Sequence, residues 1–178
     1  MKKYLYLILA VFVILAAILN FIPRIGYHYP LHVDEWVHWQ YANHLSSGTP
    51  LYFGQVYQDN LESGFHFLLA VLNSFGISYL LIFRFLPLIV TILICLGVFI
   101  LTRKMWDDEA AVFSVLFIEM LSSSVVILGP VFLVPMAIGL FLIAIGLYSV
   151  ERESKLWVLV LSLLLIMHPP TALALLLL

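Results

Sequence analysis

One run of titratable and aromatic residues, His32-Val33-Asp34-Glu35-Trp36-Val37-His38-Trp39, interrupts an otherwise apolar chain. Its spacing predicts a helix that starts at Asp34 as its cap and stops at Gly48. On that helix Asp34 and His38 share a face at i, i+4, and Glu35 meets His38 at i, i+3. Carboxylates beside an imidazole are groups that move protons or help to hold a cation. The plainer role is also open: an acidic helix start, with Trp36 and Trp39 as anchors at a membrane interface. Two adjacent acids beside lipid are unfavourable unless exposed or used. Arg84 opens an apolar run, where it either snorkels to headgroups or holds an anion. Glu119 lies inside another such run, where an ionisable side chain points to function. Five of the six histidines, His28, His32, His38, His44 and His66, fall between residues 23 and 79, and His168 stands before Pro169-Pro170.

The elements that must position these residues follow from composition. Hydrophobic residues make up 64% of the chain and charged ones 10%, against about 45–50% and about 25% in an ordinary soluble domain. Too little polar surface remains to cover such a core, so lipid is the expected solvent, and 178 residues suit a single membrane domain, residues 1–178. The net charge of −2 and the lack of a basic cluster offer nothing to nucleic acid. The single cysteine, Cys95, excludes a disulfide framework within the chain.

A crossing needs roughly 20 apolar residues. Tyr4–Ile22, Leu80–Leu101, Ala110–Leu128 and Val131–Tyr148 meet that need, and a fifth stretch from Leu156 to Leu178 is broken by His168-Pro169-Pro170. The fifth is either one kinked span or a short span followed by the start of another. The expected fold is therefore all-α, a polytopic transmembrane helix bundle of about five spans. Lys2 and Lys3, Arg103 and Lys104, and Arg152 and Lys155 fall on one side if the spans alternate. The positive-inside rule makes that side cytoplasmic, with the N-terminus, and implies a multi-pass protein of the plasma membrane. No small-x-small cleavage site follows the first apolar run, so it reads as an uncleaved span. The apolar end at Leu175–Leu178 suggests a truncated sequence.

Residues 23–79 then form a long outer first loop, too aromatic to be disordered. Within it, Ser63–Ile77 is too short to span and fits an interfacial helix. Asp34, Glu35, Trp36 and Arg84 are expected around one cavity bounded by that helix, because the loop must fold back to bury its aromatics.

In order along the chain, these features resemble the N-terminal module of the GT-C glycosyltransferases, polytopic enzymes that use polyprenyl-phosphate-linked sugars. The likeness is greatest to the branch holding oligosaccharyltransferase catalytic subunits. Asp34, Trp36, His38 and Trp39 match that branch's first-loop pattern, and the Asp34-Glu35 pair matches the mannosyl- and arabinosyltransferase-like branches. Arg84-Phe85-Leu86-Pro87 resembles the family's Arg-Leu-Pro start of the second span. Arg103-Lys104-Met105-Trp106 and Ala110-Ala111 resemble its basic inner turn and third span. The family's second acidic motif has no counterpart in the outer turn Ser122–Pro130. The nearest acid is Glu119, within the third span.

The resemblance implies displacement at a sugar C1 with a polyprenyl phosphate leaving. Asp34, then Glu35, would be the catalytic base, with Trp36, His38, Arg84 and His168 binding the substrate. A divalent cation, Mg or Mn, would be held by Asp34 and Glu119. The implied partners are the polyprenyl-phosphate-sugar donor and membrane lipid. Two other classes compete. One is a non-enzymatic transporter or assembly subunit with Glu119 and Arg84 along a substrate path, although no inverted repeat is visible. The other is an outer-face metal protein using His28, His32, His38, His44 and Asp34.

Overall fold

The computed structural model describes residues 3–47, 62–119 and 130–177, with the side chain of Glu119 left out. Among the described residues all regular structure is helical. The first helix, α1 (Lys3–Phe21), runs into a 3-10 turn at Ile22–Arg24, followed by α2 (Val33–Ser46) and α3 (Ser63–Ser74). Next come α4 (Tyr79–Met105), α5 (Asp108–Glu119), α6 (Pro135–Glu151), α7 (Leu156–Met167) and α8 (Pro169–Leu177). Among the described residues two helices, α1 with its 3-10 extension and α4, are long and apolar enough to cross a membrane, while α6 and α7 are apolar but shorter.

The long helix α4 is the axis on which α1, α5 and α6 pack. One core joins Leu5 and Ala16 of α1 to Cys95 and Phe99 of α4 and to Ala111, Val112 and Val115 of α5. A second joins Ala42 of α2 and Phe65 and Leu69 of α3 to Tyr79, Ile82 and Phe83 of α4 and to Leu133 and Ala137. A third holds α7 and α8 against α6 through Val160, Leu164, Ala172 and Leu175. The rings of Phe21 and Phe85 stack at 5.7 Å, so α1 and α4 run antiparallel. The basic turns at Arg103-Lys104 and Arg152-Lys155 therefore lie at the end of the bundle opposite α2 and α3. Outward from the cores, Leu7, Val11, Ile14 and Ile18 of α1 are exposed.

Three sequence expectations change. The helix expected from Asp34 is capped by His32, whose Nδ1 accepts from the Asp34 N–H at 3.2 Å. Glu35 answers by accepting from the His32 N–H at 3.3 Å, the reciprocal pattern of a capping box. The helix ends at Ser46 with Ser47 as its C-cap, and Gly48 lies outside the described residues. The span expected from Val131 starts at Pro135, because tertiary bonds claim the backbone of 131–133 first. Of the third expected span, Ala110–Leu128, the described part is helical through Glu119, and the rest lies outside the described residues.

The fifth apolar stretch is a helical hairpin. Before a proline, His168 cannot stay in the α region and takes φ −157°, ψ 85°. The chain then turns back, so Val160 of α7 and Leu175 of α8 both meet Gly146 of α6. Close approach also joins α3 to α7: a Cβ on Gly64 would stand 2.8 Å from the Ile166 carbonyl oxygen. Only glycine lets the start of α3 rest on the end of α7 there.

The joint between these parts is a buried ion pair. Arg24 Nη2 donates to Glu35 Oε1 at 2.8 Å and to the Val131 carbonyl at 2.7 Å. Both side chains are shut away from solvent. Glu35 also accepts from the backbone N–H groups of Leu31 at 2.5 Å and Leu133 at 2.6 Å. Beside it, Asn20 donates to Thr91 Oγ1 and to the Pro130 carbonyl. Removing one member of a buried ion pair costs roughly 3–5 kcal/mol, because the other charge is stranded. We expect Glu35→Ala to lose stability on that scale in detergent-based unfolding. The double variant Arg24→Leu/Glu35→Leu should not recover wild-type stability, since three backbone N–H groups lose their acceptor at about 1–3 kcal/mol each. Full recovery in the double variant would reduce the pair to simple charge compensation.

Candidate active site

At the α2–α3 end of the bundle lies a pocket of about 300 Å³. Its polar wall is Asp34, His38 and Tyr41 from α2, Glu62 and His66 from the start of α3, and His168 from the α7–α8 turn. Val37 and the first residues of α6, Val134, Pro135 and Met136, complete it. Four helices begin here, since Asp34 lies in the first turn of α2, Glu62 precedes α3, Pro135 starts α6 and His168 precedes α8. Their N-terminal dipoles favour negative charge in the pocket.

Each polar side chain is held by its own element. His38 Nδ1 is 2.9 Å from His66 Nε2, and the His66 ring lies against the rings of His38 and Tyr41. His168 Nδ1 pairs with Thr171 Oγ1 at 2.5 Å, one turn into α8. That leaves His168 Nε2 directed at Glu62, 3.6 Å from its Oε1. His38 Nε2 approaches Glu62 Oε2 at 3.9 Å. The Glu62 carboxyl thus sits between two imidazoles. Asp34, whose side chain is 44% exposed, stands at the mouth with Oδ2 3.5 Å from His32 Nδ1.

Burial sets the protonation of this group. It pushes the His38 imidazole down to about 3, with His66 adding to the effect, and it takes His66 down to about 4. Both rings are therefore neutral near pH 7. Glu62 is pushed up to about 7, by burial first and then by the neighbouring Asp34 charge.

Of the residues singled out in the sequence, the pocket brings together Asp34, His38, His66 and His168 and leaves out Glu35, Trp36 and Arg84. Glu35 is turned into the Arg24 joint, where four donors occupy its oxygens. Trp36 lies outside the pocket in an aromatic ladder, stacked on Tyr29 at 6.2 Å and on Trp39 at 5.0 Å and 19°. Trp39 continues the ladder to Tyr79 and Phe83 of α4. Arg84 is also outside the pocket, with Nη1 2.5 Å from His28 Nδ1 and its guanidinium over the Phe21 and Phe85 rings. The expected common cavity of Asp34, Glu35, Trp36 and Arg84 is therefore not formed. Glu119 ends α5, and its side chain lies outside the described residues.

Sequence reasoning passed over Glu62 as a loop charge and counted His66 only among the loop histidines. Their signal was the i, i+4 spacing across the start of α3, the same spacing that drew attention to Asp34 and His38. Among the described residues no group of three His, Cys, Asp or Glu side chains stands ready to hold a metal ion. Compared with known proteins, the chain matches no family model, no curated protein and no solved structure.

The histidine shifts predict an acid limit to stability. Between pH 6.5 and about 4 the unfolded chain protonates His38 and His66 while the folded chain does not. Glu62 works the other way, holding a proton in the folded chain from about pH 7 down to its ordinary value near 4.5. Burial lowers His168 as well, so three histidines against one glutamate leave the unfolded chain richer in protons, and stability falls as the pH falls through this range. Thermal unfolding at pH 6.5 and 4.5 should show that fall, and His66→Gln should flatten it. Parallel curves for the two proteins would remove His66 from the account.

Proposed function

We propose that this chain acts in glycosyl transfer from a polyprenyl-phosphate-linked sugar, as part of a multi-pass protein of the plasma membrane with its N-terminus in the cytoplasm. The observation that carries the reading is the pocket itself: an accessible Asp34 carboxylate facing a second carboxyl and neutral imidazoles, at one end of an apolar helix bundle. Support for the membrane setting comes from the two long apolar helices and the exposed aliphatic face of α1. The basic turns at the opposite end support an outer-face pocket. The resemblance of Asp34, Trp36, His38 and Trp39 to the GT-C first-loop pattern supplies the reaction class.

In this reading Asp34 takes the proton of the acceptor hydroxyl or amide as it attacks the sugar C1. His38 and His168 line the cavity as neutral hydrogen-bonding groups for the sugar. The start of α6 favours the charge that gathers on the leaving phosphate. Glu35 acts at one remove, by fixing the first turn of α2 from which Asp34 projects. A divalent cation would supply further polarisation of the phosphate. The described acids and imidazoles do not complete a site for one, so every step above is carried by side chains and helix ends.

Asp34→Asn tests the reading with little structural ambiguity, because the cap of α2 is His32 and not Asp34. Loss of a general base lowers rates by roughly 10²–10⁴. We expect that loss in membranes supplied with polyprenyl-phosphate hexoses, at unchanged protein level and thermal stability. Activity within about threefold of wild type would remove Asp34 as base, and with it the main support for glycosyl transfer.

A further inference from the structure

We propose that Glu62 is the proton donor of this pocket, giving its carboxyl proton to the departing phosphate oxygen while Asp34 takes the proton of the acceptor. The inference rests on the glycosyl-transfer reading and adds a second, opposite role to it.

Placement carries the argument. Glu62 is the N-cap residue of α3, yet its side chain makes no capping bond to that helix. Its carboxyl turns instead toward the pocket, between His38 Nε2 and His168 Nε2. Gly64 fixes it there, since α3 rests on the Ile166 backbone two residues later. Among the described residues neither Lys nor Arg lines the pocket. Arg24 is consumed by Glu35, and Arg84 stands against His28. Two carboxylates that share a cavity without a cation do not both ionise readily, and the more buried one keeps its proton. The Glu62 side chain is 24% exposed and that of Asp34 44%, so the proton resides on Glu62. The upward push on Glu62 by burial and by Asp34 agrees with that assignment. Environments that drive two carboxyls apart in this way divide acid from base.

The step balances. The acceptor oxygen bonds to C1, and the C1–O bond to phosphate breaks with its electron pair passing to the phosphate oxygen. Glu62 protonates that oxygen, and Asp34 receives the acceptor proton. The products are the glycosylated acceptor and the polyprenyl hydrogen phosphate. Return of the proton from Asp34 to Glu62 across the cavity resets the pair. Among the described residues the titratable groups that line the pocket with Glu62 are Asp34, His38 and Tyr41 of α2, His66 of α3 and His168 of the α7–α8 turn.

Three measurements on the full chain test this. Difference infrared spectroscopy should show a protonated carboxyl at pH 6 that is lost by about pH 8.5 and is absent from Glu62→Gln. Transfer by the wild type should fall above about pH 7, whereas Glu62→Gln should be slower by roughly 10²–10⁴ at pH 6 and lack that fall. A glycosyl fluoride donor, whose leaving group needs less protonation, should restore Glu62→Gln to within about threefold of wild type and leave Asp34→Asn inactive. An active chain with no titrating Glu62, or a Glu62→Gln variant as fast as wild type on the lipid-linked donor, overturns the proposal alone. A Glu62 that titrates in a chain transferring no sugar overturns the glycosyl-transfer reading, and with it the phosphate as the destination of the proton.

Discussion

The buried pairing of Arg24 with Glu35 is the constraint on which the rest of this molecule hangs. A lone charge in so apolar a chain would be prohibitive, so neither residue can fold without the other. Their partners are spread over three segments: the exit of α1, the entry of α2 and the turn that leads into α6. Fixing those three together decides where α2 begins and delays α6 until Pro135. The first turns of two helices are thereby brought side by side, and the space they leave becomes the pocket. Of the two adjacent acids, Glu35 builds the site, and Asp34, the first choice as base from the sequence, stands at its mouth.

Much of the helical layout was legible, and the reasons for the failures are physical. The runs that became α1 and α4 are long and apolar enough for length alone to locate them within a few residues, although Pro87 lies inside α4. The start of α2 was misplaced because aspartate is a preferred cap and histidine is not; His32 fills the role through a ring nitrogen. Nothing local could reveal that the backbone at 131–133 was already engaged by residues a hundred positions earlier. The break at His168-Pro169-Pro170 was visible, but its direction was not. A helix of nearly continuous leucine has no polar face to say which way it turns. In the site, Asp34 and His38 declared themselves by spacing. Glu62 did not, because its importance lies in which imidazoles from α2 and the α7–α8 turn come to face it, and that is tertiary information.

The distribution of charge has a logic of its own. Each of the two arginines near the pocket end is occupied elsewhere: Arg24 in the joint, Arg84 over Phe21 and Phe85 beside His28. The pocket is left with acids, neutral imidazoles and helix ends. Such a lining binds polar neutral groups well, and it makes protons rather than fixed cations the means of balancing charge. The aliphatic faces of α1 and α7 sit apart from it, so the molecule separates an apolar body from a small polar working volume at one end.

The aromatic ladder beside the pocket also has an optical consequence. Trp36 and Trp39 lie 5.0 Å apart with rings 19° from parallel, a separation at which two indole transitions couple. The other two tryptophans, Trp106 and Trp157, sit near the opposite end of the bundle, at the close of α4 and the opening of α7. The Trp36–Trp39 pair therefore contributes an exciton-coupled band to the circular dichroism from within α2, the helix that carries His38 and Asp34. The protein holds a built-in, label-free chromophore pair that reports whether that helix is wound.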